Sequence, residues 1–188
     1  MTTYIPSITL PAAVFQNPAA SILLPVTLGL GVGFMTGRTQ NKNRYLALKQ
    51  PSLAPPPWVF APVWTALYGL MGYAAYRATT IGLSPLSSPS LVQLTKESMT
   101  LYTTQLVLNL VWTPIFFTAR RPIEATIDIA ALLGVNGYLT YLWSSIDPIA
   151  AYCQLPYLGW LSFATYLCAG TGYLNGWDLE VSEVDKLD

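Results

Sequence analysis

Three apolar stretches of the sequence carry aromatic and amide side chains at helical spacing. Trp64 and Tyr68 are four residues apart, as are Gln105 and Asn109, so each pair shares one face of a helix. Flat rings beside a few amides suit a flat, largely apolar ligand that carries a few polar atoms. The candidate binding residues on the three stretches are Trp64, Tyr68, Gln105, Asn109, Trp112, Trp160, Phe163 and Ala164.

The same residue types also have purely structural uses. Amide side chains join helices inside membranes, and tryptophans form belts where helices meet the membrane surface. Composition alone favours these structural roles over a pocket, so the residues by themselves leave both interpretations open.

The composition excludes several classes of function. The chain has 188 residues, of which only 10% are charged and 53% hydrophobic, and it contains no histidine. Soluble domains carry about 25% charged residues, so a membrane is the expected solvent. Without histidine, Ser-His-Asp catalysis and His-ligated zinc or haem iron are excluded, and we expect no required cofactor. A net charge of zero argues against nucleic acid as a partner.

Long windows almost free of charge predict the architecture. A helix needs about 20 apolar residues to span a bilayer, and five windows qualify. We therefore predict an all-α bundle of five transmembrane helices, without internal repeats. The predicted helices cover residues 19–37, 57–78, 98–119, 123–145 and 148–173. The domain then extends over 19–177, after an N-terminal segment 1–18 and before an acidic tail 178–188.

The cations predict the orientation. The side with the first and third connections carries six of them, together with Lys186 in the tail, whereas the other side carries only Arg77 and Lys96. Since cytoplasmic loops are enriched in Lys and Arg, the C-terminus is predicted to be cytosolic. The six cations are Arg38, Lys42, Arg44, Lys49, Arg120 and Arg121.

Three longer stretches, Trp58–Tyr73, Gln105–Pro114 and Pro156–Thr165, carry a family resemblance. In this order and at these distances they resemble the translocator protein family (TspO/MBR), also called the tryptophan-rich sensory protein or peripheral benzodiazepine receptor family. The resemblance covers roughly residues 20–175 and suggests a eukaryotic member, with fungi among the candidate sources.

The resemblance implies a five-helix membrane bundle that binds porphyrins, haem-like tetrapyrroles and sterols, with a role in their transport or sensing. It further implies the mitochondrial outer membrane in eukaryotes and a possible homodimer. Trp64, Asn109 and Trp160 match positions that line the family's ligand cavity, which reverses the preference for a structural role at these three residues.

The first predicted connection, residues 38–56, carries four cations and no acid. It is too long for a tight turn, and we predict that it acts as a lid on the side where the resemblance places the cavity opening. Porphyrins carry two propionate carboxylates, with which Arg44 and Lys49 would pair. Tyr45 would lie between them as a stacking or hydrogen-bonding partner, and Trp58 completes the predicted gate.

Gly29, Gly33 and Gly37 recur every four residues on the first predicted helix. Such a strip allows another backbone to approach closely. It would either seal the bundle internally or form a dimer contact, and the pattern favours neither.

Asp128 is the one acid well inside a predicted span, where an ionised group is costly. It is expected to face inward. It would serve as a proton or ligand partner or, as we favour, as a structural acid near the interface that is hydrogen-bonded to a neighbouring helix or faces Arg120 and Arg121.

Sterol recognition has weaker support. Leu70, Tyr73 and Arg77 fit a proposed cholesterol-contact pattern that often occurs by chance. In animal members of the family such a pattern ends the fifth helix. Here Cys168 stands where the family usually has asparagine, and no Lys or Arg is nearby, which weakens the case for cholesterol at that place.

Three functions remain in order of support. A binding protein needs only an aromatic cavity and a gate. A transporter or channel needs a continuous polar path or paired charges inside the membrane, for which one aspartate and two amides are thin support. An enzyme is least supported, and its one plausible form is photo-oxidative porphyrin degradation with Trp64 and Trp160 as electron relays, an activity credited to some bacterial relatives.

Overall fold

The computed structural model describes residues 4–179, apart from the side chain of Arg38. The start of the predicted N-terminal segment and residues 180–188 of the predicted acidic tail lie outside this range. Within it every regular element is a helix, which confirms the all-α prediction.

Five long helices correspond to the five predicted spans, and two short helices accompany them. In chain order the helices are α1 (Ala12–Gln16), α2 (Pro18–Met35), α3 (Arg38–Ala47), α4 (Phe60–Gly82), α5 (Pro89–Thr113), α6 (Pro122–Ile146) and α7 (Pro148–Leu174). A 3-10 turn, Pro57–Val59, leads into α4, and a π-helical turn, Pro114–Thr118, follows α5.

A polar residue followed by proline starts three of the long helices. The side chains of Asn17, Ser88 and Asp147 accept hydrogen bonds from backbone N–H groups of the first turns of α2, α5 and α7. The next residue in each case is a proline, whose missing N–H costs nothing at a helix start. These dipeptides therefore define the starts locally.

Helix α5 corresponds to the third predicted helix, residues 98–119. It begins nine residues earlier than predicted, at Pro89. Its extra turns carry Lys96, which lies over the ring of Tyr4, and Glu97, which accepts a hydrogen bond from the Tyr138 hydroxyl at 3.2 Å. Charged residues at the end of a helix reach the surface, so they do not mark its boundary.

The predicted lid is partly helical, since α3 occupies Arg38–Ala47. Gly37 separates α2 from α3 with a φ of 80°, a left-handed conformation that glycine adopts without strain. The chain can therefore turn out of α2 directly into a second helix.

Two residues of the glycine strip, Gly29 and Gly33, lie on α2 and have different environments. A Cβ on Gly29 would clash with the ring of Tyr68, whereas one on Gly33 would meet open space. The backbones of α2 and α4 also approach closely at Gly72, where an added Cβ would clash with the carbonyl oxygen of Ser21. Gly29 thus packs inside the bundle, and a dimer contact through the strip stays a prediction.

Two of the described long helices, α2 and α6, are long and apolar enough to cross a membrane by length and composition, with mean hydropathies of 1.7 and 1.2. On α2 many large apolar side chains point outward, among them Leu23, Leu30 and Phe34, which is 85% exposed. Several polar residues of α5, including Gln105 and Asn109, are buried, so the mean hydropathy of α5 understates how apolar its outer face is in that part of the helix.

The segment before α2 packs onto α5. The backbone N–H groups of Ile5 and Leu10 donate to the hydroxyls of Thr100 and Thr103, each at 3.1 Å. Phe15 is 1% exposed. The described part of this segment therefore shares the core of the bundle.

Candidate functional site

An aromatic cluster joins α4 to α7 in the half of the bundle nearest the lid. The ring centroids of Trp64 and Trp160 are 6.4 Å apart, and the rings are nearly perpendicular. Phe60 lies 5.9 Å from Trp160, and Phe163 lies 5.8 Å from it on the other side. We call Phe60, Trp64, Trp160, Phe163 and Tyr166 the aromatic cluster.

The lid lies against the second half of α7. Tyr166 donates to the carbonyl oxygen of Ser52, and the two hydroxyls are also in contact, both at 2.9 Å. The side chain of Asn175 bonds both backbone groups of Lys49, at 2.9 and 3.1 Å. Gly170 leaves room for Pro51. The predicted lid, residues 38–56, is therefore packed against this face of α7.

Two of the predicted gate residues connect the lid to the core. The Tyr45 ring lies 5.4 Å from that of Phe60, and its hydroxyl donates to the carbonyl of Pro55 at 2.8 Å. Partial burial raises the pKa of Tyr45 above its ordinary value. Arg44 donates to the carbonyl oxygen of Phe117. Trp58 is 73% exposed on the 3-10 turn, so the structure does not bring it to the cluster.

A polar network occupies the centre of the bundle and joins four helices. It consists of Tyr68, Gln105, Asn109, Asn136, Gln154 and Tyr157. Asn109 accepts from Tyr68 at 2.5 Å and donates to Tyr157 at 2.8 Å. Asn136 donates to Gln105 at 3.3 Å and accepts from Gln154 at 2.7 Å.

The predicted amides Gln105 and Asn109 therefore belong to the interior bonding of the bundle. Gln105 is 0% exposed and Asn109 5% exposed, and both bond to neighbouring helices. Tyr68 and Tyr157 connect the two regions, because the Trp64 ring lies 5.6 Å from Tyr68 and 6.0 Å from Tyr157.

Several buried polar atoms lack a hydrogen-bond partner among the described residues. They include the indole Nε1 of Trp160 and of Trp112, and the side-chain oxygen of Gln154. Trp112 lies apart from the aromatic cluster, stacked on Phe116 at 5.1 Å. Ala164 packs beside the core. The Trp160 N–H is thus the donor within the cluster that a ligand could satisfy.

Asp128 is half-buried, and one of its carboxylate oxygens has no hydrogen-bond partner in the described chain. The ion pair of Arg121 is with Glu124, at 3.1 Å. Among the described residues no ion pair joins Asp128 to Arg120 or Arg121, which was one of the two structural roles we favoured.

An ion pair ties α4 to the start of α7, at the end of the bundle away from the lid. Arg77 donates to both carboxylate oxygens of Asp147, at 2.6 and 3.3 Å. Burial alone would raise the pKa of Asp147, but Arg77 and the N–H groups of Ile149 and Ala150 outweigh it and hold the pKa below its ordinary value. The cation of the proposed cholesterol-contact pattern is therefore engaged in this pair.

Sequence reasoning missed Phe60, Tyr157 and Tyr166. Phe60 precedes Trp64 by four residues, and Tyr157 precedes Trp160 by three, the spacings that place side chains on one helix face. Extending each aromatic pair by one turn would have found both. Tyr166 contacts the lid through a loop residue, which helical spacing cannot indicate.

Residues 21–174 match the TspO/MBR family model. The chain is 38% identical to the human translocator protein over 150 residues, which cover 80% of this chain and 85% of the human protein. It is 33% identical to the translocator protein homolog of Schizosaccharomyces pombe, with coverages of 87% and 94%. It is 34% identical to the tryptophan-rich protein TspO of Archaeoglobus fulgidus, with coverages of 83% and 95%.

Proposed function

Because the chain belongs to the TspO/MBR family, we propose that it is a five-span membrane protein that binds porphyrin-type tetrapyrroles and sterol-like ligands. The observation that carries this proposal is the aromatic cluster beneath the predicted lid, in which the rings of Trp64 and Trp160 meet edge to face at 6.4 Å. Such a site offers flat apolar surfaces and, at Trp160, a buried N–H without a partner among the described residues.

The dimensions of the long helices support five spans. At 1.5 Å per residue, 18 residues of α2 extend about 27 Å and 25 residues of α6 about 37 Å, close to the hydrocarbon thickness of about 30 Å. The connection after α5 and the lid carry the cations, so we propose that this end faces the cytosol, together with the C-terminus. For a eukaryotic member we propose the mitochondrial outer membrane.

The arrangement favours a tetrapyrrole as the ligand of the cluster. A porphyrin ring offers two faces for stacking, and its propionates would reach the lid, where the side chain of Lys49 is exposed. The cluster is packed in the closed state, so the lid must move for a ring to enter. A sterol would fill the same apolar space without using the cation. A homodimer would form through the apolar outer face of α2.

A second function has one specific observation in its favour. Trp64 and Trp160 contact each other edge to face at 6.4 Å, so a porphyrin bound against the cluster would be close enough for electron transfer with either ring and would be degraded under light with oxygen as the oxidant. This reaction would be a consequence of binding, and it needs no further catalytic group on the chain.

The test is a titration of purified protein in nanodiscs with protoporphyrin, followed by tryptophan fluorescence, in the dark and under light. Saturable quenching in the dark with no new absorbing species indicates a binding protein. A product that accumulates only under light, and only with bound porphyrin, indicates degradation as well. The absence of saturable quenching in the dark would refute tetrapyrrole binding.

A further inference from the structure

A small cleft lies at the basic end of the bundle. We define the basic end as the end formed by α3, the 119–121 connection and residues 175–179. It is lined by Arg44, Leu48, Phe116, Phe117, Arg120 and Leu179. Its free volume is about 10 Å³, which is room for one water-sized group. A single oxygen of an anionic group could therefore enter, with the remainder of the molecule outside.

Backbone geometry brings the two guanidinium groups to this cleft. Pro114 has no N–H, and the chain after α5 continues as a π-helical turn in which the carbonyl of Phe117 accepts from Arg44. Arg120 then adopts a left-handed conformation with φ of 57°, where the chain reverses into α6. Non-glycine residues avoid this conformation, so the fold holds Arg120 there at some cost.

The six residues that line the cleft include two arginines and no acid. Glu124, four residues after Arg120, pairs with Arg121 at 3.1 Å. No described acid forms an ion pair with Arg44 or Arg120. Guanidinium groups favour the geometry of phosphate oxygens. Two arginines at one cleft therefore attract an anion, and a phosphate group can bond to both guanidinium groups.

The remaining lining is apolar. Leu48, Phe116 and Leu179 are buried and border the two arginines. Charged headgroup and apolar surface thus meet within one site, as an amphipathic lipid requires. Basic pockets at the cytoplasmic ends of transmembrane helices bind anionic lipid headgroups.

We propose that this cleft binds the phosphate of an anionic phospholipid in the leaflet that meets the basic end. The proposal depends on the five-span membrane arrangement and not on porphyrin binding. Arg44 bonds Phe117 and also holds the lid, whereas Arg120 faces the cleft from the exposed connection. Arg120 is therefore the residue whose loss should affect the lipid alone.

The experiment measures lipid preference with the full chain in nanodiscs of phosphatidylcholine, with or without a minor share of phosphatidylglycerol. Spin-labelled lipids report the relative association of the two headgroups. Wild type should prefer phosphatidylglycerol, and Arg120→Gln should lower that preference about five-fold, since each basic residue near a lipid surface is worth roughly that factor. Lys42→Gln removes the same charge from an exposed position of α3 outside the lining and should change it much less.

Two further arms identify the source of the phosphate. Phosphatidylglycerol in the nanodisc should raise the melting temperature, whereas inorganic phosphate added to phosphatidylcholine nanodiscs should not. A rise from inorganic phosphate equal to that from phosphatidylglycerol would overturn the lipid assignment. A chain with Glu180, Glu183 and Asp185 changed to glutamine should keep or strengthen the preference. A preference seen only in that variant would mean that the acidic tail occupies the cleft in the wild type.

Equal losses in Arg120→Gln and Lys42→Gln would also overturn the proposal, because they would show a general attraction to the basic end. Failure of the porphyrin titration would leave all of these outcomes unaffected, so the two proposals can fail separately.

Discussion

The polar network and the aromatic cluster lie side by side in the bundle and differ in how they join the helices and in how deeply they are buried. In the network Asn109 and Asn136 each bond to two other helices, and Gln105 is 0% exposed. In the cluster Trp64 and Trp160 are only partly buried, and ring contacts connect α4 to α7. Each region leaves one buried polar atom without a partner within the described chain, the Gln154 oxygen in the network and the Trp160 N–H in the cluster. Buried hydrogen bonds hold helices together, whereas half-buried rings can adapt to a ligand.

This difference separates residues that are neighbours in sequence. Trp64 belongs to the cluster, while Tyr68, one turn later, bonds into the network. Similarly, Tyr157 bonds in the network and Trp160 stacks in the cluster. Substitutions in the network should therefore affect stability first, and those in the cluster should affect binding first.

The largest effect is expected from Asn136→Leu. It removes the partner of Gln154 and one partner of Gln105, leaving buried amides unpaired. The free energy of unfolding should fall by about 1–3 kcal/mol, measured by thermal unfolding in detergent. Asn43→Leu on the exposed face of α3 is the control. An unchanged melting temperature would contradict the structural role of the network.

Low pH should lower the stability of the fold by protonating Asp147, which lies outside the aromatic cluster. The lowered pKa of Asp147 means that its ion pair contributes stability above the ordinary aspartate pKa of about 4, and that this contribution is lost as pH falls through the folded-state pKa. The melting temperature of Asp147→Asn should be lower than that of wild type at neutral pH, and the gap should close toward acid.

The control for this titration is Glu124→Gln, which breaks the exposed pair with Arg121 and should produce a smaller gap. A gap for Asp147→Asn that stays constant between neutral and acid pH would show that the charge of Asp147 does not stabilise the fold.

Trp160→Phe should retain folding and weaken protoporphyrin binding roughly two- to ten-fold, because aromatic stacking contributes about 0.5–1.5 kcal/mol beyond buried area. Fluorescence quenching measures the affinity. The matched control is Trp143→Phe, since Trp143 is 1% exposed against Tyr102, away from the cluster. Equal affinities in wild type and Trp160→Phe would remove Trp160 from the site.

The lid should control the rate of porphyrin dissociation more than the affinity for porphyrin. Tyr166→Phe removes both contacts with Ser52, and these partly exposed bonds contribute at the low end of about 0.5–1.5 kcal/mol. Porphyrin dissociation, followed by stopped-flow fluorescence, should accelerate about two-fold. Tyr173→Phe, on the exposed part of α7, should leave the dissociation rate unchanged. Equal rates in wild type, Tyr166→Phe and Tyr173→Phe would show that the contacts of Tyr166 do not hold the lid in place.

The smallest effect concerns the propionates. Porphyrin affinity should fall with ionic strength, and this dependence should be weaker in Lys49→Gln than in wild type or Lys42→Gln, because exposed pairs contribute about 0–1 kcal/mol and are screened by salt. An identical salt dependence in the three proteins would mean that Lys49 does not pair with the propionate carboxylates of the porphyrin.

The charge-free windows predicted the long helices because the few charges of the chain collect near helix ends. They did not predict α3, whose residues are mostly polar and lack an apolar face, nor the early start of α5, where Lys96 and Glu97 lie on the helix surface. Spacing identified which aromatic residues share a face. It could not indicate that Trp64 would meet Trp160 while Gln105 met Asn136, because the pairing of faces depends on how the helices pack.

The two amides show most clearly what helical spacing alone cannot predict. Gln105 and Asn109 have the same spacing whether they line a pocket or join helices, and only the positions of Asn136 and Tyr157 on other helices distinguish the two. Trp112 was selected by helical spacing as well, yet it stacks on Phe116 of the π-helical turn.

Light-driven labelling with bound protoporphyrin tests most directly whether ligand occupies the aromatic cluster. Illuminated porphyrin oxidises nearby tryptophans in the presence of oxygen, and peptide mass spectrometry locates the modified residues. With porphyrin at the protein concentration, Trp64 and Trp160 should be oxidised ahead of Trp58, which is 73% exposed, and of Trp143, which is 1% exposed. Oxidation that simply follows exposure, with Trp58 first and Trp64 and Trp160 no faster than Trp143, would contradict binding at the cluster.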